Sequence, residues 1–149
     1  MLLSKTMKPL VLLAAIVALA PIARAEDQAS QQYQTLLTPL VQGGADVLGE
    51  AHAYPAGALN ITSAIVTVPP GGQTGWHTHE VPLFAYILEG ELTVDYGEKG
   101  TRTYSAGTGF FEAINWPHNG TNTGSVPARL IAVYMGGGDK ANTVPVPAQ

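Results

Sequence analysis

The sequence contains no cysteine, and only 12% of its 149 residues are charged. Without thiols, disulfides and sulfur-ligated metal sites are excluded, so a bound metal ion must be held by nitrogen and oxygen ligands. Basic residues are also few, because seven Lys and Arg stand against 11 Asp and Glu. An acidic chain of this kind is a poor partner for nucleic acid.

Residues 1–25 predict a secretory signal peptide. Lys5 and Lys8 precede an apolar run over residues 9–20, which is shorter than the ~20 residues that span a bilayer. The run is followed by Ala23-Arg24-Ala25, a small-residue site after which we expect cleavage. Cleavage removes three of the seven basic residues and none of the acidic ones. We therefore expect an acidic, periplasmic or secreted protein with no stable membrane anchor after cleavage.

The rest of the chain is rich in turn residues, with 17 Gly and 11 Pro in the whole sequence. A clear strand, Asn60 to Val68, is rich in β-branched residues and stops at the turn sequence PPGG. Short strands separated by glycine turns are typical of a sandwich or barrel. The sequence therefore predicts an all-β, mostly antiparallel fold. Further strands are expected at residues 75–79, 83–88, 91–96, 101–104, 109–113 and 128–135, with a tight hairpin at residues 88–92.

This pattern predicts three parts after the leader. Residues 26–59 should form an N-terminal extension with the first edge elements, and residues 28–44 within it fit either a short helix or an edge strand. Residues 60–137 should form the core of the barrel. Residues 138–149 should be an extended and loosely held tail, because two prolines interrupt them.

Three of the four histidines lie where a closed sheet can bring them together. His77 and His79 are separated by one residue, so on a strand both side chains point to the same face. His118 can join them only if the sheet folds back on itself, as a barrel or jelly roll does. From the spacing alone, surface histidines explain the pattern equally well. His52 has no partner nearby in the sequence and is expected to be a surface or internally bonded residue.

Two segments around these histidines resemble the two motifs of the cupin superfamily. The first motif is matched by GGQTGWHTHEVPLFAYILEG, with its glycines and histidines at Gly71, His77, His79 and Gly90. The second is matched by GTGFFEAINWPHNGTN, at Gly107, His118 and Asn122. The resemblance implies a double-stranded β-helix, or jelly-roll barrel, with a divalent metal ion (Fe, Mn, Ni, Cu or Zn) at His77, His79 and His118. It also implies a small-molecule ligand, and a homodimer is expected because dimers are frequent among cupins.

The chain departs from the family pattern at the usual glutamate ligand, where it has Leu83 and Phe84. Glu80 follows an inward-facing histidine, so strand alternation points it outward. Glu112 is the better candidate for a fourth ligand or a catalytic proton acceptor, because it lies on a predicted strand shortly before His118. An interior carboxylate at this position would need a partner such as a cation. The alternative is that Glu112 faces solvent.

Aromatic residues surround the predicted site in the sequence. Trp76, Tyr86, Phe110 and Trp116 are expected to line a pocket beside the metal, although most aromatic residues in a small barrel belong to the core. A pocket of this kind would suit a small, hydrophobic and perhaps aromatic molecule. Asn115 and Asn122 fit either hydrogen bonding near His118 or backbone capping.

Two functions remain open at this point. The first is a metal-dependent oxidoreductase of the dioxygenase type, with Glu112 beside the metal. The second is an exported binding or sensing protein that catalyses nothing. A third reading, in which the histidines are structural and bind no metal, predicts that a chelator leaves stability unchanged.

Overall fold

The computed structural model describes residues 31–149. The predicted signal peptide lies outside the described residues. Residues 31–38 belong to a separate small unit that contains one helical turn, and residues 39–149 form the second unit. Within the described part of the chain, no helix is both long and apolar enough to cross a membrane.

The second unit is built from nine short strands in antiparallel sheets. In chain order they are β1 (Leu59–Val68), β2 (His77–Thr78), β3 (Leu83–Glu89), β4 (Glu91–Asp95), β5 (Thr101–Ser105), β6 (Gly109–Phe111), β7 (Asn119–Thr121), β8 (Ala128–Gly137) and β9 (Val144–Pro145). A single 3₁₀ turn, Gly97–Lys99, joins β4 to β5. The predicted all-β, antiparallel jelly-roll fold is confirmed.

One layer of the jelly roll is a four-stranded sheet with the order β1-β8-β3-β6. Its inner face is set by alternation, because in β3 Leu83, Ala85 and Ile87 are buried. Leu130 and Ala132 of β8 are buried on the same side, since Ile87 pairs with Leu130 and Ala85 with Ala132. Burying alternate apolar residues in this way supplies the hydrophobic core of the layer.

The opposite layer contains a three-stranded sheet, β5-β4-β7, and the two-stranded ladder β2-β9. Single bridges connect Gln73 to Thr121 and His77 to His118, so β2 lies beside β7. Leu92 and Val94 of β4 point inward and are buried against the first layer. The bridge at His77 places the two histidine segments directly side by side, although they are far apart in the sequence.

The predicted hairpin at residues 88–92 is wrong. β3 pairs with β6 and β8, whereas β4 pairs with β5 and β7, so Gly90 carries the chain from one layer to the other. A Cβ atom on Gly90 would lie 2.7 Å from the carbonyl oxygen of Pro127, and φ is +71°. Glycine is needed here because the chain bends sharply and lies against a neighbouring backbone. A glycine with positive φ is also typical of a tight hairpin, which is why the sequence predicts one.

Two other segments differ from expectation. The sequence predicts no strand at residues 119–121, but they form β7, which pairs with β4 and buries Asn119 and Gly120. The tail is extended, as predicted, but part of it is not loosely held. Val144 and Pro145 pair with Thr78 and His77 to form β2-β9. This pairing could not be predicted, because backbone hydrogen bonds do not require particular side chains. Pro145, which has no N–H group to donate, also made a strand unexpected here.

The N-terminal part of the second unit is fastened to the barrel by Asp46. Its buried carboxylate accepts hydrogen bonds from the backbone N–H groups of Leu48 and Glu50 at 2.8 and 3.0 Å. The other oxygen accepts one from the N–H of Ile114 at 3.0 Å. These bonds hold the turn at residues 46–49 against the segment that follows β6, two residues beyond Glu112.

Candidate metal centre

The barrel brings His77, His79 and His118 together at one point. One ring nitrogen of each lies within 4.8 Å of those of the other two. The ring centroids are 4.4 Å apart for His77 and His118, 4.8 Å for His77 and His79, and 5.0 Å for His79 and His118. His79 and His118 are buried, and His77 is half-buried. Three imidazoles arranged in this way could bind a metal ion.

All three rings are oriented by a backbone carbonyl. The Nδ1 atom of His77 lies 2.7 Å from the oxygen of Gly75, and that of His118 lies 2.8 Å from the oxygen of Trp116. A carbonyl can only accept, so each Nδ1 carries the proton and Nε2 is left with a free lone pair. In both cases the carbonyl belongs to the residue two positions earlier, so the local turn sets the ring.

His79 is oriented by the tail rather than by its own loop. Its Nδ1 lies 2.6 Å from the carbonyl oxygen of Asn142, 63 residues further along the chain. The Asn142 amide donates to the Thr62 hydroxyl at 3.0 Å, and the N–H of Ala141 donates to Glu80 at 2.7 Å. Together with the β2-β9 ladder, these contacts hold the tail across the site. We call residues 141–146 the strap.

The electrostatics favour neutral imidazoles. Desolvation by burial lowers the pKa of all three histidines below 6.5, and that of His79 to about 3, while the carbonyl hydrogen bonds oppose this shift. The neutral ring is the form that ligates metal. The Nε2 atom of His118 is buried and has no hydrogen-bond partner. A buried nitrogen lone pair without a donor is costly, and a metal ion satisfies it. The residues present therefore fit a divalent metal ion.

Glu112 faces the interior beside this cluster. Its side chain is buried, and its Oε2 atom lies 4.0 Å from Nε2 of His118. Oε1 accepts hydrogen bonds from the Tyr96 hydroxyl at 2.7 Å and from the N–H of Ala113 at 2.8 Å. Desolvation raises the pKa of Glu112 to about 7, and these two donors oppose it. One oxygen is thus engaged, and the other is turned toward the histidines.

A buried pair of tyrosines extends this network away from the site. The Tyr96 hydroxyl lies 3.1 Å from that of Tyr104. Desolvation and the nearby Glu112 raise the pKa of Tyr96 above its usual value, so the hydroxyl stays protonated and donates to the carboxylate. Sequence reasoning missed Tyr96, although alternation from Leu92 and Val94 indicates that it points inward.

A cavity of about 450 Å³ opens beside the three histidines. Trp76 and Phe110 line it, as expected, and so does Glu112. Tyr86 and Trp116 do not line it, and these two assignments are wrong. Tyr86 alternates with the buried Ala85 and Ile87 of β3 and therefore lies on the outer face. Trp116 is partly buried against another part of the core, where its Nε1 donates to the Tyr96 carbonyl at 2.9 Å and Lys99 lies over its ring.

The remaining polar candidates act on the backbone. Asn115 has a φ of +54°, and its N–H donates to the carbonyl of His79 at 2.8 Å. Asparagine tolerates this left-handed region better than most residues other than glycine. Asn122 donates to the carbonyls of Val68 and Val126, both at 2.8 Å, which is the capping alternative. Glu80 binds the strap instead of the histidine cluster, and His52 lies outside that cluster near Asp46.

Comparison with known proteins agrees with this geometry. Residues 64–134 match a family model described as a cupin domain. That segment includes the three histidines, Glu112 and most of both layers. Residues 64–134 of the chain therefore correspond to a cupin domain. Among the curated proteins, none matches the chain.

Several solved structures share the fold. An oxalate oxidase in complex with the substrate analogue glycolate is 21% identical, with a TM-score of 0.49, over 58% of this chain and 52% of that one. A structure from a study of the DMSP lyases RdDddP and RnDddQII is 18% identical, with a TM-score of 0.50, over 58% and 44%. A cupin domain from Bordetella pertussis Tohama I is 20% identical, with a TM-score of 0.45, over 58% and 99%. This chain thus spans about half the length of the oxalate oxidase.

Proposed function

We propose that this chain is an exported, metal-dependent oxidoreductase of the dioxygenase type that acts on a small molecule in the cavity. The observation that carries the proposal is the common orientation of His77, His79 and His118. In all three, the Nδ1–H group donates a hydrogen bond to a backbone carbonyl, so the lone pair of Nε2 is available to a metal ion. The Nε2 atom of His118 is buried and has no hydrogen-bond partner. A tripod of neutral imidazoles without the family's usual glutamate leaves several positions on a metal ion open.

The metal ion, when bound, supplies a Lewis-acid or redox centre with open positions for small ligands. The protein supplies the surroundings. Thr143 and Pro145 of the strap and the half-buried Trp76 form part of the cavity wall. Glu112, held by Tyr96 and Ala113, presents Oε2 as a proton acceptor at the side of His118, within reach of a molecule in the cavity.

The second candidate is an exported protein that binds a metal ion or a small molecule without turnover. The replacement of the usual glutamate by Leu83 and Phe84 favours it, because an incomplete ligand set is compatible with binding alone. Export itself is inferred from the signal-peptide pattern of residues 1–25.

The test is metal analysis of the full-length protein purified from the compartment to which it is delivered, followed by oxygen uptake with small-molecule candidates. We expect a single divalent ion per chain and oxygen consumption with at least one compound. His77→Ala should lose the metal, and His52→Ala should keep it. Protein that is fully loaded but inert to every compound supports the non-catalytic candidate. Protein that takes up no metal contradicts the oxidoreductase and the metal-binding form of the second candidate.

A further inference from the structure

We infer that the cavity takes a ligand with one oxygen-donor head and an uncharged aliphatic body. The inference rests on the proposed metal function, because the head is assigned to the metal ion. The body is assigned to the part of the cavity that extends from the histidines into the core between the two layers. This inference is narrower than the expectation from the sequence, which allowed any small hydrophobic molecule, including an aromatic one.

The walls of the cavity are mainly aliphatic. Both layers contribute inward-facing residues to them, including Leu83, Ala85, Leu92, Val94, Leu130 and Ala132. Every one of these side chains is at least 93% buried. Methyl groups from both layers therefore meet the ligand, and they offer it no hydrogen bonds. An apolar body gains from leaving water here, at roughly 0.8 kcal/mol per buried methylene group.

The charges in the lining exclude a charged body. Among the lining side chains of residues 31–149, Glu112 is the only carboxylate, and the other acidic or basic groups are the three histidines and the Tyr134 hydroxyl. No Lys or Arg among residues 31–149 contributes to the lining. An anionic group in the body would have no cation to pair with, and it would lie close to Glu112. A cationic group would lack partners among the aliphatic walls, where burying an unpaired charge costs several kcal/mol.

Aromatic stacking has little support from the walls. Phe110 lines the cavity, but its ring is stacked on Tyr104, with centroids 3.8 Å apart and planes inclined by 12°. One face of Phe110 is therefore already covered. Trp76 lies in the loop before β2 and is half-buried. Tyr134 also lines the cavity, and its ring packs edge-on against His79, with centroids 5.6 Å apart and planes inclined by 62°. The aliphatic walls contributed by the two layers therefore suit a chain of methylene groups better than a flat ring.

The experiment uses full-length protein loaded with Co²⁺, whose absorption bands report ligands that reach the metal. Acetohydroxamate, butanohydroxamate and hexanohydroxamate are titrated in turn. We expect affinity to rise by up to about fourfold per added methylene group, the equivalent of the transfer energy above. The monohydroxamate of adipic acid, which has the six-carbon body and a terminal carboxylate, should bind at least tenfold more weakly than hexanohydroxamate. Benzohydroxamate should also bind more weakly than hexanohydroxamate.

A variant pair identifies the cavity as the place where the body binds. Ala132→Leu fills space in the aliphatic wall, so it should abolish the gain with chain length while leaving the Co²⁺ bands and acetohydroxamate binding unchanged. Ser63→Leu adds the same side chain on an exposed strand position and should behave as the unmodified protein.

The outcomes separate the two proposals. Co²⁺ bands that never appear overturn the metal function and this inference with it. Normal bands with an affinity that does not depend on chain length, or with tighter binding of the carboxylated or aromatic compound, overturn the inference alone. A chain-length effect that survives in Ala132→Leu also overturns it.

Discussion

Two histidines of the site are held by the chain next to them, and the third is held by a distant segment. His77 and His118 each donate to a carbonyl two residues earlier, on Gly75 and Trp116. His79 donates to Asn142, which belongs to the strap. A local anchor is formed whenever the turn is formed, whereas the distant anchor depends on tertiary packing. The same kind of hydrogen bond, from an imidazole to a backbone carbonyl, can therefore be disrupted in two ways. A change in the local turn affects His77 or His118, and a change in the packing of the strap affects His79.

The largest effect is expected when a ring is removed altogether. His118→Ala deletes a ligand and leaves a space among buried groups, so metal affinity should fall by more than the roughly 10–100-fold that follows the loss of an orienting partner. His52→Ala is the matched control and should retain full affinity, because His52 lies outside the cluster. Isothermal titration with Zn²⁺ measures both. Equal affinity in the two variants would remove His118 from the site.

Loss of the strap should have the next largest effect. A chain that stops after Ala141 lacks the carbonyl that orients His79, while the anchors of His77 and His118 are intact. We expect metal affinity to fall by about 10–100-fold. A chain that stops after Val146 keeps the ladder between β2 and β9 and should bind as the full chain does. If both truncated chains bind equally well, the tail does not orient His79.

A strained local anchor should cost less. Gly75 has a φ of +79°, which an alanine adopts at a cost of about 1–2 kcal/mol, so Gly75→Ala should tilt the carbonyl that holds His77. We expect metal affinity to fall by up to about tenfold. Gly71→Ala carries similar strain at a φ of +73°, but its carbonyl holds no histidine. Thermal unfolding should therefore change alike in both variants, and metal affinity should change only in the first.

The smallest effect is expected from the side chain that fastens the strap. Thr62→Val removes the hydroxyl that accepts a hydrogen bond from the Asn142 amide and leaves the Asn142 carbonyl in place. The loss of one exposed hydrogen bond is worth about 1 kcal/mol, so metal affinity should fall by at most about fivefold. Thr67→Val, an exposed threonine on the same strand, is the control. If Thr62→Val lowers metal affinity as much as the truncation does, the hydrogen bond between Asn142 and Thr62 is sufficient by itself to hold the strap in place.

The three histidines of the site could be predicted from the sequence, but the contact of His79 with Asn142 in the strap could not. The i, i+2 spacing of His77 and His79 fixes a common face, and the barrel brings His118 to it. The sequence analysis expects Trp76, Phe110 and Tyr86 at the cavity. The structure has the first two there. Tyr86 is wrong because it is assigned by residue type, whereas alternation with Ala85 and Ile87 in β3 puts it on the outer face. The role of Asn142 was beyond prediction, because a backbone carbonyl is present at every residue and carries no side-chain signal.

The fold shows the same division. The strand Asn60 to Val68 was predicted to within one residue, because β-branched residues and the turn after it mark its limits. β7 was missed, because Asn119 and Gly120 resemble turn residues and become strand only when they pair with β4. Gly90 was read as a hairpin, since the sequence shows the flexibility of glycine but not the neighbouring strand that requires it.

The 63-residue separation between His79 and Asn142 also orders events during folding. Closing a long loop costs more entropy than closing a short turn, so contacts across it form late. The orientation of His79 therefore depends on the docking of the strap, whereas the rings of His77 and His118 are oriented by their own turns. We therefore expect the protein to reach its full metal affinity only when β9 has docked on β2. The rise in metal affinity during refolding would then report the completion of the barrel.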